Sequence, residues 1–194
     1  KKLLASDDEH ERSSAAFALS SMGGKAQGAV ADLIEALKSQ SEGKTEIAEA
    51  ISRIGPAAVP HLLRASADPD QSPDQLAVAL AGIGPSATEP LIAALDAETI
   101  EARVSAATAL GQMNPTPSAA MAGLLNCLND PSVDLRKAAA FALGGSRDLD
   151  GEAIERLRGL CNDMDQGVRA AAVLSIAKTD SDTAALVDLL THAC

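Results

Sequence analysis

Apolar residues recur along this chain with a regular period of about thirty residues. One position of the pattern is always leucine or isoleucine, and a short run of alanine and other small residues precedes each occurrence. A period of this length is typical of a solenoid, in which each unit buries its apolar face against its neighbours. We call this position the leucine column, and its members are Leu19, Ile51, Leu80, Leu110, Leu143 and Ile176.

A second apolar group follows each member of the leucine column. Its residues are spaced by three and four positions, which favours a short amphipathic helix. Each unit is therefore predicted to be a pair of antiparallel helices of about 11–14 residues, the usual length of helices in globular proteins. The fold prediction is all-α, a right-handed α-solenoid of about six helix pairs. The second apolar groups are Leu33/Ile34, Leu62/Leu63, Leu91/Ile92, Leu124/Leu125, Ile154/Leu157 and Leu186/Val187.

The polar breaks between apolar groups set the predicted repeat boundaries within a single domain spanning 1–194. Leu4 lies at the position that Leu37 and Leu95 occupy in later repeats. Residues 1–5 are therefore expected to end a preceding repeat, and the chain is expected to be a monomeric fragment of a longer solenoid. The predicted repeats are 6–38, 42–67, 70–96, 98–128, 131–161 and 165–190.

Glycine follows most members of the leucine column, where we expect the first helix to end in a left-handed turn. Proline comes directly after two of these glycines, at Pro56 and Pro85, and suits the first turn of the second helix. The proline-rich segment 114–118 is predicted to be a loop between two helices of one repeat, and not a domain linker. The five glycines are Gly23, Gly55, Gly84, Gly111 and Gly144.

Composition narrows the possible partners. Phe17 and Phe141 are the only aromatic residues, and the net charge is −11. An evenly acidic surface with so few aromatic rings disfavours nucleic acid and anionic membranes as partners. No apolar run approaches the ~20 residues of a membrane span. The three cysteines lie too far apart for a C-x-x-C metal motif, which predicts core positions in a reducing, cytoplasmic compartment.

The motif Asp130-Pro131-Ser132, followed by Arg136, Ala138-Ala139 and Ala142-Leu143-Gly144, resembles a HEAT repeat. The segment 54–63 matches another part of the same repeat. The resemblance is closest to the short bacterial repeats called phycobilisome-lyase-like, and it implies an armadillo-like superhelix. It implies no single function, because such repeats occur in scaffolds, adaptors, chromophore lyases and parts of enzymes.

A cationic residue lies seven positions before the leucine column in five of the six repeats, and Pro73 interrupts the series. One interpretation is a surface that grips an acidic partner. The interpretation we favour is structural: each side chain bonds the loop aspartates and carbonyls of adjacent repeats, as at Asp130 and Asp163, which the five donors of arginine suit. We call these residues the basic ladder: Arg12, Lys44, Arg103, Arg136 and Arg169.

Enzymatic chemistry finds little support in the sequence. His10-Glu11 resembles the His-Glu pairs with which deoxyhypusine hydroxylase, a HEAT-like enzyme, binds iron, but it lies out of register with that family's position. His61 and His192 have no partner at a spacing that suits a catalytic triad. We predict no catalytic residue, no metal and no cofactor.

The second helices of HEAT-like stacks line the concave face, so their exposed positions are the predicted binding surface. In the middle repeats these positions are small, and charged residues flank them. The favoured function is a non-enzymatic scaffold for a protein or peptide. The alternatives are a bilin-lyase-like or enzyme-associated HEAT subunit, and a structural spacer within a larger protein. The predicted contact residues are His61, Arg64, Pro90, Ala93, Gly123, Asn126, Glu155 and Arg158.

Overall fold

A computed structural model describes residues 2–6, 8–38, 44–147 and 149–179. The chain divides into two compact units, Lys1–Ala94 (unit 1) and Leu95–Cys194 (unit 2). The α-helices of unit 1 are α1 (Glu9–Met22), α2 (Val30–Ala36), α3 (Lys44–Ile54), α4 (Val59–Ala65), α5 (Pro73–Gly82) and α6 (Thr88–Ala94). Those of unit 2 are α7 (Ile100–Gln112), α8 (Met121–Cys127), α9 (Val133–Leu143), α10 (Gly151–Leu160) and α11 (Gln166–Thr179).

The predicted all-α solenoid of helix pairs is confirmed, since the described ranges contain helices and no strand. Five pairs and the first helix of a sixth lie within these ranges. The second helix of the sixth predicted pair, with Leu186, Val187 and His192, lies outside the described residues. Short 3-10 helices add to the pairs at Lys2–Ala5, Gly23–Ala29, Pro56–Ala58, Gly84–Ala87 and Ser118–Ala120.

The first helices of successive pairs form the main layer of each unit. In unit 1, α3 packs between α1 and α5, and in unit 2, α9 packs between α7 and α11. Their shared face carries the leucine column, of which Ile51, Leu80, Leu110 and Leu143 are fully buried. Leu19, on the outermost helix α1, is only half-buried. Burial of this column contributes to the hydrophobic stabilisation between neighbouring repeats.

The second helices are shorter than the sequence predicted. Four of them, α2, α4, α6 and α8, contain 7 residues each. A 3-10 turn precedes each of these helices. Glycine and proline residues between the two helices of a pair favour such a tight turn. One leucine in each helix is nevertheless fully buried: Leu33, Leu62, Leu91 and Leu124.

The glycine prediction is right for three positions and wrong for two. Gly23, Gly55 and Gly84 have positive φ angles of 53°, 91° and 76°, as a left-handed turn requires. Gly111 and Gly144 do not. A Cβ atom at Gly111 would lie 2.7 Å from the Cα of Ala142 in the neighbouring helix, and one at Gly144 would lie 2.7 Å from the Cα of Ser175. These two glycines therefore allow close approach of helices.

The proline-rich segment is a loop between α7 and α8 that binds back onto the next repeat. The peptide bond Asn114–Pro115 is cis. The hydroxyl of Thr116 donates to the carbonyl of Ala142 over 2.8 Å, and its amide donates to the carbonyl of Gly145 over 3.1 Å. The loop thus belongs to the packing of unit 2.

Within the described ranges, no single helix is long and apolar enough to cross a membrane. Among the described helices, only α5 combined with the segment Gly84–Ala94 meets the length and composition requirement, and the two parts meet at a bend of 111°.

Candidate functional site

Arg136 of the basic ladder joins two successive loops of unit 2. Its Nε and Nη2 atoms donate to the carboxylate of Asp163 over 2.8 and 3.0 Å. Its Nη1 atom donates to the carbonyls of Asp130 and Pro131 over 2.9 and 3.1 Å. The planar guanidinium thus binds a carboxylate with two parallel bonds and still has donors for the preceding loop.

Other arginines of the ladder repeat parts of this geometry. Arg169 donates to the carbonyls of Asp163 and Met164 over 2.9 and 3.2 Å. Arg12 donates to the carbonyl of Ser6 over 2.6 Å. In Arg12, Arg136 and Arg169 alike, one acceptor is the carbonyl six residues earlier. Arg103 repeats the other part of the geometry, because it bonds the carboxylate of Asp130 in the loop that follows its own repeat.

The two loop aspartates of unit 2 are held by backbone amides as well as by arginine. The amide of Ser132 donates to Asp130 over 2.8 Å, and that of Asp165 donates to Asp163 over 2.9 Å. The bonds from Arg136 favour the charged carboxylate and lower the pKa of Asp163, whereas its burial opposes this shift. Asp163 also raises the pKa of Arg136. Both groups stay ionised near neutral pH.

Unit 1 has a different arrangement at the corresponding places. Lys44 begins α3 and borders an open hollow that is also lined by Lys38 and Gln71. The loop aspartate of this repeat, Asp68, is paired with Lys38 at 2.8 Å, which lowers the pKa of the Asp68 carboxyl. Pro73 occupies the ladder position of the third repeat and carries no side-chain donor.

The predicted contact residues of unit 1 are accessible. His61 and Arg64 are exposed on α4, Ala93 is exposed on α6, and Pro90 is half-buried there. Since α4 and α6 are in contact, these four residues lie on neighbouring helices of one layer. They form one part of the proposed binding surface.

The predicted contact residues of unit 2 lie on α8 and α10, two helices that make little contact with each other. Asn126 and Glu155 are exposed. Glu155 lies 3.8 Å from half-buried Arg158, whose Nε atom has no hydrogen-bond partner among the described residues. At half-buried Gly123, the side chain of Leu95 fills the space where a Cβ atom would lie, at 2.7 Å.

The described side chains show no arrangement typical of a catalytic centre. No three metal-binding side chains cluster in the described ranges. Cys127 and Cys161 are buried, and burial raises the pKa of the Cys127 thiol to about 11 and also raises that of Cys161. A thiol with a raised pKa is a poor nucleophile at neutral pH. The third cysteine, Cys194, lies outside the described residues.

Sequence reasoning missed two polar contacts of unit 1. Lys38 pairs with Asp68, and the side-chain amide of buried Gln71 donates to the carbonyl of Ile34 over 3.0 Å. Lys38 directly follows the buried Leu37, so its place at the end of a helix was recognisable. Its partner was not, because Lys38 is not a ladder residue, and the 27-residue spacing between arginine and aspartate in unit 2 leads from Lys44 to Gln71 and not to Asp68.

Residues 121–194 match the family model for HEAT repeats. Among solved structures, the chain is similar to the complex of CpcE and CpcF of phycocyanin lyase from Nostoc sp. PCC7120. The similarity has 25% sequence identity and a TM-score of 0.54, and it covers 76% of this chain and 98% of that one.

Another similar structure is a designed armadillo repeat protein in complex with the peptide (KR)4, with 20% identity and a TM-score of 0.49, covering 92% of this chain and 97% of that one. No curated protein matches the chain. The residues that match HEAT repeats lie in unit 2, and the helices of unit 1 are paired in the same way. The chain is therefore an α-solenoid of helix pairs in which residues 121–194 match the HEAT repeat family.

Proposed function

We propose that this chain is a non-enzymatic scaffold that binds a protein or peptide through its second helices. The observation that supports this proposal most directly is that the ladder arginines and the predicted contact residues have different surroundings. Arg136 and Arg169 of the basic ladder donate to loop acceptors, whereas the side chains of Arg64, Ala93 and Asn126 face solvent. Exposed positions on a rigid helical layer are suited to recognising an extended or helical segment.

Each unit has a small exposed side chain on one of its second helices. Ala93 on α6 and Asn126 on α8 are both exposed and short. A guest backbone would come close to either helix there without meeting a bulky side chain. Charged groups beside them, such as Arg64 in unit 1 and Glu155 in unit 2, would steer association and orientation more than they would raise affinity.

A random peptide library displayed on phage and selected against the immobilised chain would test this proposal. Peptides that bind the second helices should lose at least ~10-fold in affinity, about 1.4 kcal/mol, with Ala93→Arg or Asn126→Trp, and the melting temperature should stay the same. Asn126→Ala is the matched control and should bind within about 2-fold of wild type. Arg64→Ala should slow association and change the salt dependence. Selected peptides that tolerate both bulky substitutions equally well would contradict the proposed surface.

A second candidate function is a subunit of a lyase-type complex, and the similarity to the phycocyanin lyase structure favours it. That protein is a complex of two chains, so this candidate would place the present chain beside a second, related subunit. The chain offers a flat pigment only the two rings of Phe17 and Phe141, both exposed, whereas small-molecule sites are usually enclosed by apolar walls. Absorbance titration with a free bilin would separate the two candidates, because the scaffold alone predicts no spectral shift.

A further inference from the structure

The first helices of unit 2 expose a surface that the proposed binding site does not use. Phe141 on α9 and Leu174 on α11 both lie two residues before the leucine column, on neighbouring helices. Their exposed fractions are 46% and 58%, high values for large apolar side chains. Neighbouring exposed apolar side chains of this size often mark an interaction site.

The charge around this pair is opposite to that of the whole chain. The net charge of the chain is −11, yet α11 contains Arg169 and Lys178 and no acidic residue. On α9, Lys137 is exposed and pairs with Asp134 at 3.0 Å. The ammonium of Lys178 lies 4.7 Å from the centre of the Phe141 ring. We call Lys137, Phe141, Leu174 and Lys178 the apolar–basic face.

Unit 1 lacks a comparable face at the equivalent positions. Phe17 and Val78 are exposed there, but the helix between them places Glu49 at the same position. Glu49 pairs with Arg53 at 2.7 Å, so a solvated ion pair separates the two apolar side chains. The exposed apolar pair in unit 2 is therefore not a feature that all the first helices share.

The charge of the apolar–basic face also indicates which kind of partner would bind there. A second copy placed face to face on this surface would bring Lys137 and Lys178 close to the same lysines of its partner, and like charges held close together are unfavourable. A segment with carboxylates beside apolar side chains would instead pair with Lys178, add a second carboxylate beside Lys137, and cover Phe141 and Leu174. We propose that the apolar–basic face docks an acidic amphipathic helix of a partner protein.

The probe for this test is a labelled synthetic peptide of about 16 residues with leucine at helical spacing and glutamate elsewhere. The control peptide carries lysine in place of each glutamate. Fluorescence anisotropy with the full chain should show binding of the acidic peptide only. Binding should weaken as sodium chloride rises from about 50 to about 500 mM, because salt screens exposed charges.

Phe141→Ser and Lys178→Glu should each weaken binding by about 10-fold or more. Phe17→Ser removes the other exposed phenylalanine and is the matched control, with affinity expected within about 2-fold of wild type. Thermal melting of each variant confirms folding, and since both rings are exposed we expect little change. Four outcomes would overturn the proposal: no binding of the acidic peptide up to about 1 mM, equal binding of the lysine peptide, equal loss with Phe17→Ser, or a dimer of the chain that Phe141→Ser dissociates.

Discussion

The two units are built from the same helix pairs but join their repeats in different ways. In unit 2, Arg103, Arg136 and Arg169 follow one another without a gap, and Asp130 and Asp163 accept their bonds. In unit 1, Pro73 interrupts the ladder, and Asp68 takes its cation from Lys38 instead. The comparison shows that repeats can stack without an arginine–aspartate bond between their loops, when the leucine column and other polar contacts join them.

The two units also differ in how closely their first helices approach each other. The added Cβ of an alanine at Gly111 or Gly144 would collide with backbone atoms of the next helix, whereas at Gly82 of unit 1 it would meet only the side chain of Ser52. A side chain can rotate away, but a backbone atom in a packed layer cannot. Unit 2 is therefore expected to tolerate less change between its first helices than unit 1.

The largest effect is expected from Gly111→Ala, which should lower the free energy of unfolding by about 2–4 kcal/mol because the helices must separate. Gly82→Ala should lower the free energy of unfolding by less, and combining it with Ser52→Ala should relieve this loss. Gly159→Ala in α10 is the matched control: nothing lies within 4 Å of its added Cβ, so helix propensity should stabilise the protein by about 0.5–1 kcal/mol. Urea unfolding measures all of these. Equal stability of Gly111→Ala and Gly159→Ala would remove the packing argument.

The next largest effect concerns the ladder. Arg136→Ala should lower the free energy of unfolding by about 2–3 kcal/mol, since it leaves the largely buried Asp163 carboxylate without its cation. Arg169→Ala, which removes bonds to carbonyls only, should cost about 1 kcal/mol. Lys44→Ala in unit 1 should cost less than about 0.5 kcal/mol. Equal losses for Arg136→Ala and Lys44→Ala, measured by urea unfolding, would show that the ladder works alike in both units.

The pH dependence of Asp163 should reveal the same bond. Because the folded-state pKa of Asp163 is lowered, the unfolded chain binds more protons than the folded one as pH falls through the usual aspartate range near 4. Its stabilisation is therefore present above that range and is lost as pH falls through the lowered folded-state pKa. The destabilisation by Asp163→Asn should accordingly be measurable at pH 7 and shrink at pH 2–3. A difference between the two proteins that does not change with pH would mean that the charge of Asp163 is not involved.

The smallest expected effect lies at the junction of the second and third repeats of unit 1. Ser66 stands where Leu37, Leu95 and Leu128 are buried in other repeats, and Pro73 interrupts the ladder. The amides of α4 and α5 should therefore exchange about tenfold faster than those of α8 and α9. Hydrogen exchange followed by mass spectrometry resolves these segments. Slower exchange in α4 and α5 would indicate that Gln71 and Lys38 compensate for both gaps.

The fold could be predicted because periodicity is encoded along the chain itself: the leucine column and the second apolar groups each report local burial. The close approach at Gly111 and Gly144 could not, because it depends on which residue of a neighbouring helix stands opposite. The ion pair of Lys38 with Asp68 and the contact of Leu95 with Gly123 could not be predicted for the same reason. The apolar–basic face combines residues from two helices, so its charge contrast emerges only when α9 and α11 are placed side by side.

The central claim is that the arginines of the ladder stabilise unit 2 and that the second helices bind the partner. Urea unfolding and peptide titration, both applied to Arg136→Ala and Asn126→Trp with one library-selected peptide, test it most directly. We expect Arg136→Ala to lose about 2–3 kcal/mol of stability with affinity within about 2-fold of wild type, and Asn126→Trp to lose at least ~10-fold in affinity at unchanged stability. The reverse pattern, in which Arg136→Ala abolishes binding and leaves stability unchanged, would contradict the account and identify the ladder as the binding site.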